Sequence, residues 1–158
     1  MSTRRPVTPR PVTPRPKDRP KLKGPSLDDL IAAATVARDR AYAPYSRYHV
    51  GSAVLADNGK IYAAANVENA SYGLSICAER NAVSAAILDG ARRIIACAVV
   101  TKSNPPAAPC GMCRQTLAEF SPDDPSRVPI ALVNADGKRR DTTLGALLPL
   151  AFRPEDLG

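Results

Sequence analysis

From residue 25 onward, short apolar runs alternate along the chain with segments that carry a helical pattern of apolar and polar residues. The apolar runs are residues 50–56, 60–66, 94–101 and 128–134. The helical patterns span residues 26–44, 77–88 and 110–120. Apolar runs of this length are typical of buried strands, and helices that alternate with strands pack on both faces of the sheet. We therefore predict an α/β domain whose sheet is covered on both faces.

Short-range signals mark where several of these elements begin or turn. Ser26 is followed three residues later by Asp29, which predicts a capped start for a first helix that ends near Pro44. The sequence Asp-Asn-Gly at residues 57–59 joins the first two strands and favours the positive φ angles of a hairpin turn. Asp-Gly at residues 136–137 predicts another turn after the last apolar run.

The chain divides into a basic, proline-rich segment at residues 1–24 and a domain at residues 25–158. The first segment holds six of the 16 prolines and repeats the pentapeptide Arg-Pro-Val-Thr-Pro. Proline restricts φ and removes a hydrogen-bond donor, so we expect a disordered, extended segment without a core. Its expected role is that of a solubilising extension, with weak binding to an anion or an aromatic groove as the alternative.

The net charge of the chain comes from that first segment alone. Of 22 basic and 15 acidic residues, eight basic and one acidic residue lie in residues 1–24, which leaves 14 of each sign in the domain. A nucleic-acid interface needs its positive charge on the folded surface. We therefore do not expect the folded domain to bind nucleic acid.

The sequence also argues against a membrane partner. It contains no run of the roughly 18 apolar residues that a membrane span requires. No apolar stretch follows the arginine pair at residues 4–5, as a secretory or twin-arginine signal would need. We expect a cytoplasmic protein.

Three of the four cysteines lie in two short groups, whereas Cys97 lies inside an apolar run as a small core residue would. Cys77 begins one predicted helix, and Cys110 and Cys113 begin another. Side chains at positions i and i+3 share a helix face, and helix N-termini favour thiolates. In a reducing compartment such groups are more typical of a metal site than of a disulfide. Three thiolates predict a zinc site with an open fourth position, as in catalytic zinc sites.

Glu79 follows Cys77 by two residues and provides a proton carrier beside the predicted metal. A ligand followed by x-Glu, and later by Pro-Cys-x-x-Cys, is the general signature of zinc deaminases. In that chemistry a zinc-bound hydroxide adds to C4 of a cytosine ring while the glutamate moves protons. Arg80 and Arg114 each follow a predicted ligand and would offset the thiolate charge, unless they only face solvent. A structural zinc site, the alternative for the whole set, normally has four protein ligands and no adjacent carboxylate.

Five ordered motifs extend this match to nearly everything from residue 27 to the end. They span residues 45–51, 66–72, 76–80, 109–115 and 147–154. In these motifs the chain resembles the small zinc-dependent cytidine deaminases of pyrimidine salvage. The resemblance implies a three-layer α/β/α sandwich with a mixed sheet of about five strands, and one Zn²⁺ per chain. It also implies hydrolysis of the nucleosides cytidine and deoxycytidine to uridine and deoxyuridine, with release of ammonia, by a homotetramer with shared active sites.

The resemblance implies a role for each matching residue in the site. The implied zinc ligands are Cys77, Cys110 and Cys113. Glu79 matches the proton shuttle, and Asn66 and Glu68 match the pair that holds the ribose 3′-hydroxyl. An amide that both donates and accepts, together with an ionised carboxylate that accepts, suits that task. The backbone of Ala78 would contact the pyrimidine.

Four further residues complete the implied substrate site. Ala70 and Tyr72 would approach the 5′ end of the sugar from a neighbouring subunit, and Phe152 would close the pocket across an interface. Tyr48 stands where the family usually has a phenylalanine against the base. Its ring can still stack there, but its hydroxyl needs a partner or water.

Three alternatives come from other classes. A deaminase of an aminonucleoside antibiotic, of the blasticidin type, shares the zinc motif but lacks the Asn-x-Glu ribose pair. A nucleic-acid cytosine deaminase needs a basic single-strand channel and usually has histidine as its first ligand. A zinc-binding module without catalytic activity is the third alternative.

Overall fold

The computed structural model describes residues 24–122 and 124–157, so the disordered segment predicted at residues 1–24 lies outside the described residues except for residue 24. The described α-helices are α1 (Leu27–Arg38), α2 (Ala78–Leu88), α3 (Gly111–Glu119) and α4 (Leu144–Leu147). The described strands are β1 (Gly51–Ala56), β2 (Ile61–Ala65), β3 (Ile94–Thr101), β4 (Pro129–Asn134) and β5 (Arg139–Thr143). Within this part of the chain, no helix has both the length and the apolar character that crossing a bilayer requires.

The five described strands form one mixed sheet in the order β2-β1-β3-β4-β5. β3 and β4 are parallel, and the other neighbouring strands are antiparallel. A parallel pair needs a long crossover, which α3 provides between β3 and β4. Gly59 and Gly137 both have a φ of 80° at the two predicted turns, a conformation that glycine adopts without strain. Both hairpin turns are therefore confirmed.

Successive residues of the central strands point to opposite faces of the sheet and bury two cores. The core on the α1 face includes Leu30, Ala34, Ala53, Leu55, Ala98 and Val100. The core on the α2, α3 and α4 face includes Val54, Ala82, Val83, Val99, Leu117 and Leu144. Helices thus cover both faces of the sheet, which confirms the predicted three-layer α/β/α sandwich.

The first helix begins where the sequence predicts. The Ser26 backbone N–H donates to the Asp29 carboxylate over 2.8 Å, and the Asp29 N–H donates to Ser26 Oγ over 3.2 Å, as in a capping box. This helix lies unusually close to β1, because a Cβ atom at Gly51 would overlap the carbonyl oxygen of Ala34. Glycine at the first residue of β1 therefore permits the contact between helix and sheet.

Two features differ from the expectations drawn from local patterns. α1 ends at Arg38 and not near Pro44, because the next residues pair with a distant segment. The Tyr42 N–H donates to the Asn66 carbonyl over 3.0 Å, and the Glu68 N–H donates to the Tyr42 carbonyl over 2.8 Å. β5 carries no apolar pattern that would predict a strand, and it forms by antiparallel pairing with β4.

Candidate active site

The N-termini of α2 and α3 bring the three clustered cysteines together on one face of the sheet. Cys77 is the N-cap residue of α2, Cys110 is that of α3, and Cys113 is buried one turn into α3. The Sγ atoms of Cys77 and Cys110 are 3.9 Å apart, and those of Cys110 and Cys113 are 3.5 Å apart. All three lie within 4.8 Å of one another. Thiolates bound tetrahedrally to Zn²⁺ at about 2.3 Å stand about 3.8 Å apart, so the predicted ligands form a potential zinc site.

The thiols of the cluster share protons with one another. All four cysteines lie in the described residues as free thiols. The pKa of Cys77 is lowered to about 5, because the Cys113 thiol hydrogen-bonds to it and because Cys110 and Arg80 add to the effect. The pKa of Cys113 is raised, because its proton is held in the bond to Cys77 and because it is buried. Metal binding displaces such shared protons.

Glu79 lies in the first turn of α2 with only 4% of its surface exposed. Burial raises the pKa of its carboxyl group above the ordinary value, and the negative charge of Cys77 adds to this effect. Desolvation penalises the charged form, so this carboxyl group can hold a proton closer to neutral pH. A group of this kind beside a metal site can act as a general acid and base.

The two arginines next to the ligands have different neighbours. Arg80 donates to the Ser75 carbonyl over 2.8 Å, and its positive charge helps to lower the pKa of Cys77. Arg114 donates to the Pro109 carbonyl over 2.7 Å and to the Leu147 carbonyl over 3.0 Å. It therefore joins the start of α3 to the end of α4. Charge compensation by either arginine stays a prediction.

A cavity of about 300 Å³ opens beside the cysteine cluster. Seven of the predicted site residues line it: Tyr48, Asn66, Glu68, Cys77, Ala78, Glu79 and Cys110. Small-molecule sites in proteins have volumes from about 300 Å³ upward, so the cavity has room for a small polar ligand. The fold thus brings together, at one cavity, residues that are separated along the chain.

Asn66 and Glu68 hold the segment before β1 and also face this cavity. Asn66 Nδ2 donates to the carbonyl of Tyr48 over 3.0 Å. The Glu68 carboxylate accepts hydrogen bonds from the backbone N–H groups of Tyr45 at 2.9 Å and Ser46 at 3.2 Å, and from the Ser46 hydroxyl. The Ser46 hydroxyl is the main cause of the lowered pKa of Glu68. Hydrogen bonds from Asn66 and Glu68 to a ribose 3′-hydroxyl stay a prediction.

Tyr48, which stands where the family usually has a phenylalanine, has a hydrogen-bond partner for its hydroxyl group. Its hydroxyl hydrogen-bonds to Ser103 Oγ, in the loop after β3. Lys102 Nζ lies 5.8 Å from the centre of the ring. Ser103 and Lys102 therefore both contact the side chain of Tyr48, which is also one of the residues that line the cavity.

The three residues assigned to subunit interfaces do not line this cavity, although Tyr72 lines an adjoining pocket together with Ser46 and Glu68. In the described part of the single chain, Ala70, Tyr72 and Phe152 are not among the cavity's lining residues. Tyr72 is 80% exposed and Phe152 is 57% exposed. The Gln115 side chain donates to the Phe152 carbonyl over 2.7 Å and accepts from its N–H over 3.2 Å, which attaches this segment to α3.

Several polar residues of the site were not predicted from the sequence. Ser46 and Thr101 line the cavity, and Ser103 supports Tyr48 from behind. Ser46 lies inside the first matching motif, two residues before Tyr48, and this position was a usable signal. Ser103 lies 55 residues from its partner, so no local pattern could have indicated the contact.

Comparisons with known proteins support the potential zinc site of this chain. A family model for the cytidine and deoxycytidylate deaminase zinc-binding region matches residues 26–129. The cytidine deaminase of Sporosarcina psychrophila is 45% identical over 131 residues, which cover 83% of this chain and 94% of that protein. The Mycobacterium tuberculosis H37Rv enzyme is 42% identical over 78% of this chain and 87% of its own length. A crystal structure of cytidine deaminase from Burkholderia pseudomallei matches with a TM-score of 0.75 at 46% identity, covering 80% of this chain and 99% of that one. The chain therefore belongs to the zinc-binding cytidine deaminase family.

Proposed function

We propose that this protein hydrolyses cytidine and deoxycytidine to uridine and deoxyuridine with release of ammonia, as an enzyme of pyrimidine salvage. The observation that carries the proposal is a buried carboxyl group, Glu79, in the wall of a cavity that the Cys77 and Cys110 thiols also line. A metal site with a carboxylate beside it and an open ligand position is the arrangement that hydrolytic deamination of a cytosine ring requires.

The donor set fits Zn²⁺, because thiolates are ligands that zinc prefers and three of them leave one position open. Cys77, Cys110 and Cys113 would hold the ion. When bound, Zn²⁺ supplies a Lewis acid that makes a water molecule acidic enough to attack at neutral pH. The N-terminus of α2 and the nearby Arg80 would offset part of the charge of the three thiolates.

Glu79 moves the protons in this proposal. Its carboxylate takes a proton from the attacking water and delivers it to N3 of the pyrimidine, while the water oxygen forms the new bond to C4. The second water proton then passes through Glu79 to the amino group on C4, and the C4–N bond breaks to release ammonia. The burial of Glu79 supports this role, because a raised pKa lets one carboxyl group both accept and donate a proton.

The remaining lining residues orient the nucleoside. Glu68 accepts a hydrogen bond from the ribose 3′-hydroxyl, and the second N–H of the Asn66 amide donates to it. The lowered pKa of Glu68 supports this role, because the group is ionised at neutral pH. Ala78 is the first residue of α2, where backbone N–H groups have no partner within the helix and can donate to the pyrimidine carbonyl. The Tyr48 ring packs against the base.

We further propose that the active enzyme is a homotetramer with shared sites. Ala70 and Tyr72 would reach the sugar 5′ end of a neighbouring subunit, and Phe152 would close a neighbour's pocket. The exposure of Tyr72 and Phe152 in the single chain supports this, because large exposed apolar side chains are typical of interfaces.

The decisive experiment combines metal analysis with a spectrophotometric assay of cytidine deamination. We expect about one zinc ion per chain, and we expect Glu79→Gln to keep the metal while turnover falls by about 10²-fold or more. Glu119→Gln removes the same charge from an exposed position at the end of α3 and serves as the matched control with normal turnover. A fully active metal-free protein would contradict the mechanism. Activity on an aminonucleoside antibiotic but not on cytidine or deoxycytidine would contradict the substrate assignment.

A further inference from the structure

Tyr48 lines the cavity, whereas its hydroxyl group is hydrogen-bonded to a residue outside the lining. Ser103 Oγ forms a hydrogen bond with that hydroxyl, and Ser103 is not among the residues that line the cavity in the described chain. An effect of Ser103 on a bound ligand would therefore pass through the Tyr48 ring.

The backbone of Tyr48 is held independently of this bond. Its N–H donates to Ser46 Oγ over 2.9 Å, and its carbonyl accepts from Asn66 Nδ2 over 3.0 Å. These contacts leave the side-chain torsions of Tyr48 free. The hydroxyl bond to Ser103 is thus a contact that fixes the direction of the ring.

Ser103 is itself well placed to act as an anchor. Its backbone N–H donates over 3.2 Å to Oγ1 of Thr101, a residue that is 2% exposed at the end of β3 and lines the same cavity. The neighbouring Lys102 donates to the Arg47 carbonyl over 3.2 Å and lies 5.8 Å from the centre of the Tyr48 ring. Two consecutive residues after β3 therefore hold the segment that carries Tyr48.

We propose that Ser103 is a positioning residue that holds the Tyr48 ring in the cavity wall and thereby sets the affinity for the pyrimidine base. The inference rests on the proposed function, because it takes the base as the group that contacts this ring. With its hydroxyl bonded to Ser103, the tyrosine presents an apolar face to the ligand. Without Ser103 the half-buried hydroxyl lacks its partner, and the ring turns toward water at the expense of the base contact.

The test uses steady-state kinetics of the full chain with cytidine. We expect Ser103→Ala to raise KM about 5- to 20-fold, with kcat changed less than twofold, because the ring contacts ground state and transition state alike. Adding Tyr48→Phe to Ser103→Ala should return KM most of the way to the wild-type value, since removing both partners leaves no unpaired hydroxyl. Ser103→Thr keeps the hydroxyl and should bind nearly normally.

Ser121→Ala is the matched control, because the Ser121 hydroxyl donates to the Ala118 carbonyl at the end of α3 and does not line the cavity. An unchanged KM in Ser103→Ala, or a double variant that binds no better than Ser103→Ala, would overturn the inference. A loss of zinc in Ser103→Ala would also overturn it, because the residue would then act on the metal site.

Two measurements separate this inference from the proposed function. Wild-type protein that fails to deaminate cytidine defeats the proposed function. The affinity for uridine, measured by calorimetry in the wild type, Ser103→Ala, Tyr48→Phe and the double variant, reports the coupling between the two positions without requiring turnover. If uridine affinity shows no coupling between positions 48 and 103, the inference fails even when the enzyme is active.

Discussion

Glu68 is a carboxylate whose surroundings prepare it to accept one more hydrogen bond. The backbone N–H groups of Tyr45 and Ser46 donate to one of its oxygens, and the Ser46 hydroxyl donates to the other. These donors lower its pKa, with the Ser46 hydroxyl as the main cause, so the group is ionised at neutral pH. These hydrogen bonds hold the carboxylate in place, which in the proposed contact with ribose would reduce the entropy lost on binding.

Replacing Glu68 with glutamine should weaken recognition of the ribose. We expect Glu68→Gln to lower kcat/KM for cytidine about 10-fold or more, because a charge-assisted hydrogen bond to the 3′-hydroxyl is lost. The same variant should show little further loss on 3′-deoxycytidine, which lacks that hydroxyl. Equal losses on both substrates would show that Glu68 acts only by supporting the turn before β1.

Cys97 illustrates how burial alone changes the acidity of a thiol. It is completely buried in β3, and burial raises its pKa to about 12. In the unfolded chain the same thiol ionises near pH 8.5. A group whose pKa is higher in the folded state stabilises the protein fully below the unfolded pKa, and this contribution is lost as the pH rises toward the folded value.

This difference predicts a measurable loss of stability in alkaline solution. Between pH 7 and pH 10 the Cys97 contribution to the free energy of unfolding should fall by about 2 kcal/mol. Urea unfolding of the wild type and of Cys97→Ala at both pH values isolates the Cys97 contribution, because the other titrating groups are common to the two proteins. A difference between the two proteins that stays constant with pH would contradict the prediction.

The contact between α1 and β1 depends on the absence of a single methyl group. At Gly51 a Cβ atom would overlap the Ala34 carbonyl oxygen and would lie 2.8 Å from the Cβ atom of Arg38. These atoms belong to the helix backbone or its first side-chain carbon, so they cannot move without shifting α1. The helix covers one face of the sheet, and its displacement would disturb a complete core.

We therefore expect Gly51→Ala to lower the free energy of unfolding by about 1–3 kcal/mol, as overpacking of a well-packed core does. Gly73→Ala is the matched control, because a Cβ at Gly73 would meet open space. It should change stability by less than about 0.5 kcal/mol. The midpoints of urea unfolding compare the two variants, and equal midpoints would show that α1 can adjust without cost.

The surface of the single chain carries apolar side chains that suggest assembly. Tyr72 is 80% exposed, Leu150 91% and Phe152 57%. Leu150 and Phe152 are two residues apart in the segment that follows α4, and clustered exposed apolar side chains are typical of interaction sites. We expect these residues to lie between subunits, so that an intact active site requires more than one chain.

A mixing experiment tests this expectation. Glu79→Gln and Phe152→Ala should each be nearly inactive alone, and mixed oligomers should regain measurable turnover. A pocket with an intact Glu79 can then receive an intact Phe152 from its neighbour. Phe152→Ala mixed with the Glu79→Gln/Phe152→Ala double variant is the control without rescue, because it contains no intact Phe152. Gel filtration checks that the variants assemble, and mixed oligomers without recovered activity would place Phe152 in its own chain's site or core.

Local patterns in the sequence were sufficient to predict those structural features that depend only on residues close together in the chain. The capping box at Ser26, the two glycine turns and the starts of α2 and α3 at Cys77 and Cys110 depend on backbone angles and hydrogen bonds within a few residues. The spacing of Cys110 and Cys113 was sufficient to predict that their thiols lie close together, because helix geometry places residues three positions apart on one face. The interface roles and the tail at residues 1–24 stay predictions.

Only the tertiary structure decided the features that depend on distant partners. α1 ends at Arg38 because the backbone of Tyr42 forms hydrogen bonds with residues 66–68. β5 forms because a polar segment pairs with the edge of β4. The hydroxyl bond between Tyr48 and Ser103 joins residues 55 positions apart. Such contacts form only when the strands and helices have assembled in their final order, and the order of the strands cannot be read from a short stretch of sequence. The sequence therefore indicated the candidate residues of the site, and the packing of helices on one sheet face brought seven of them together at one cavity.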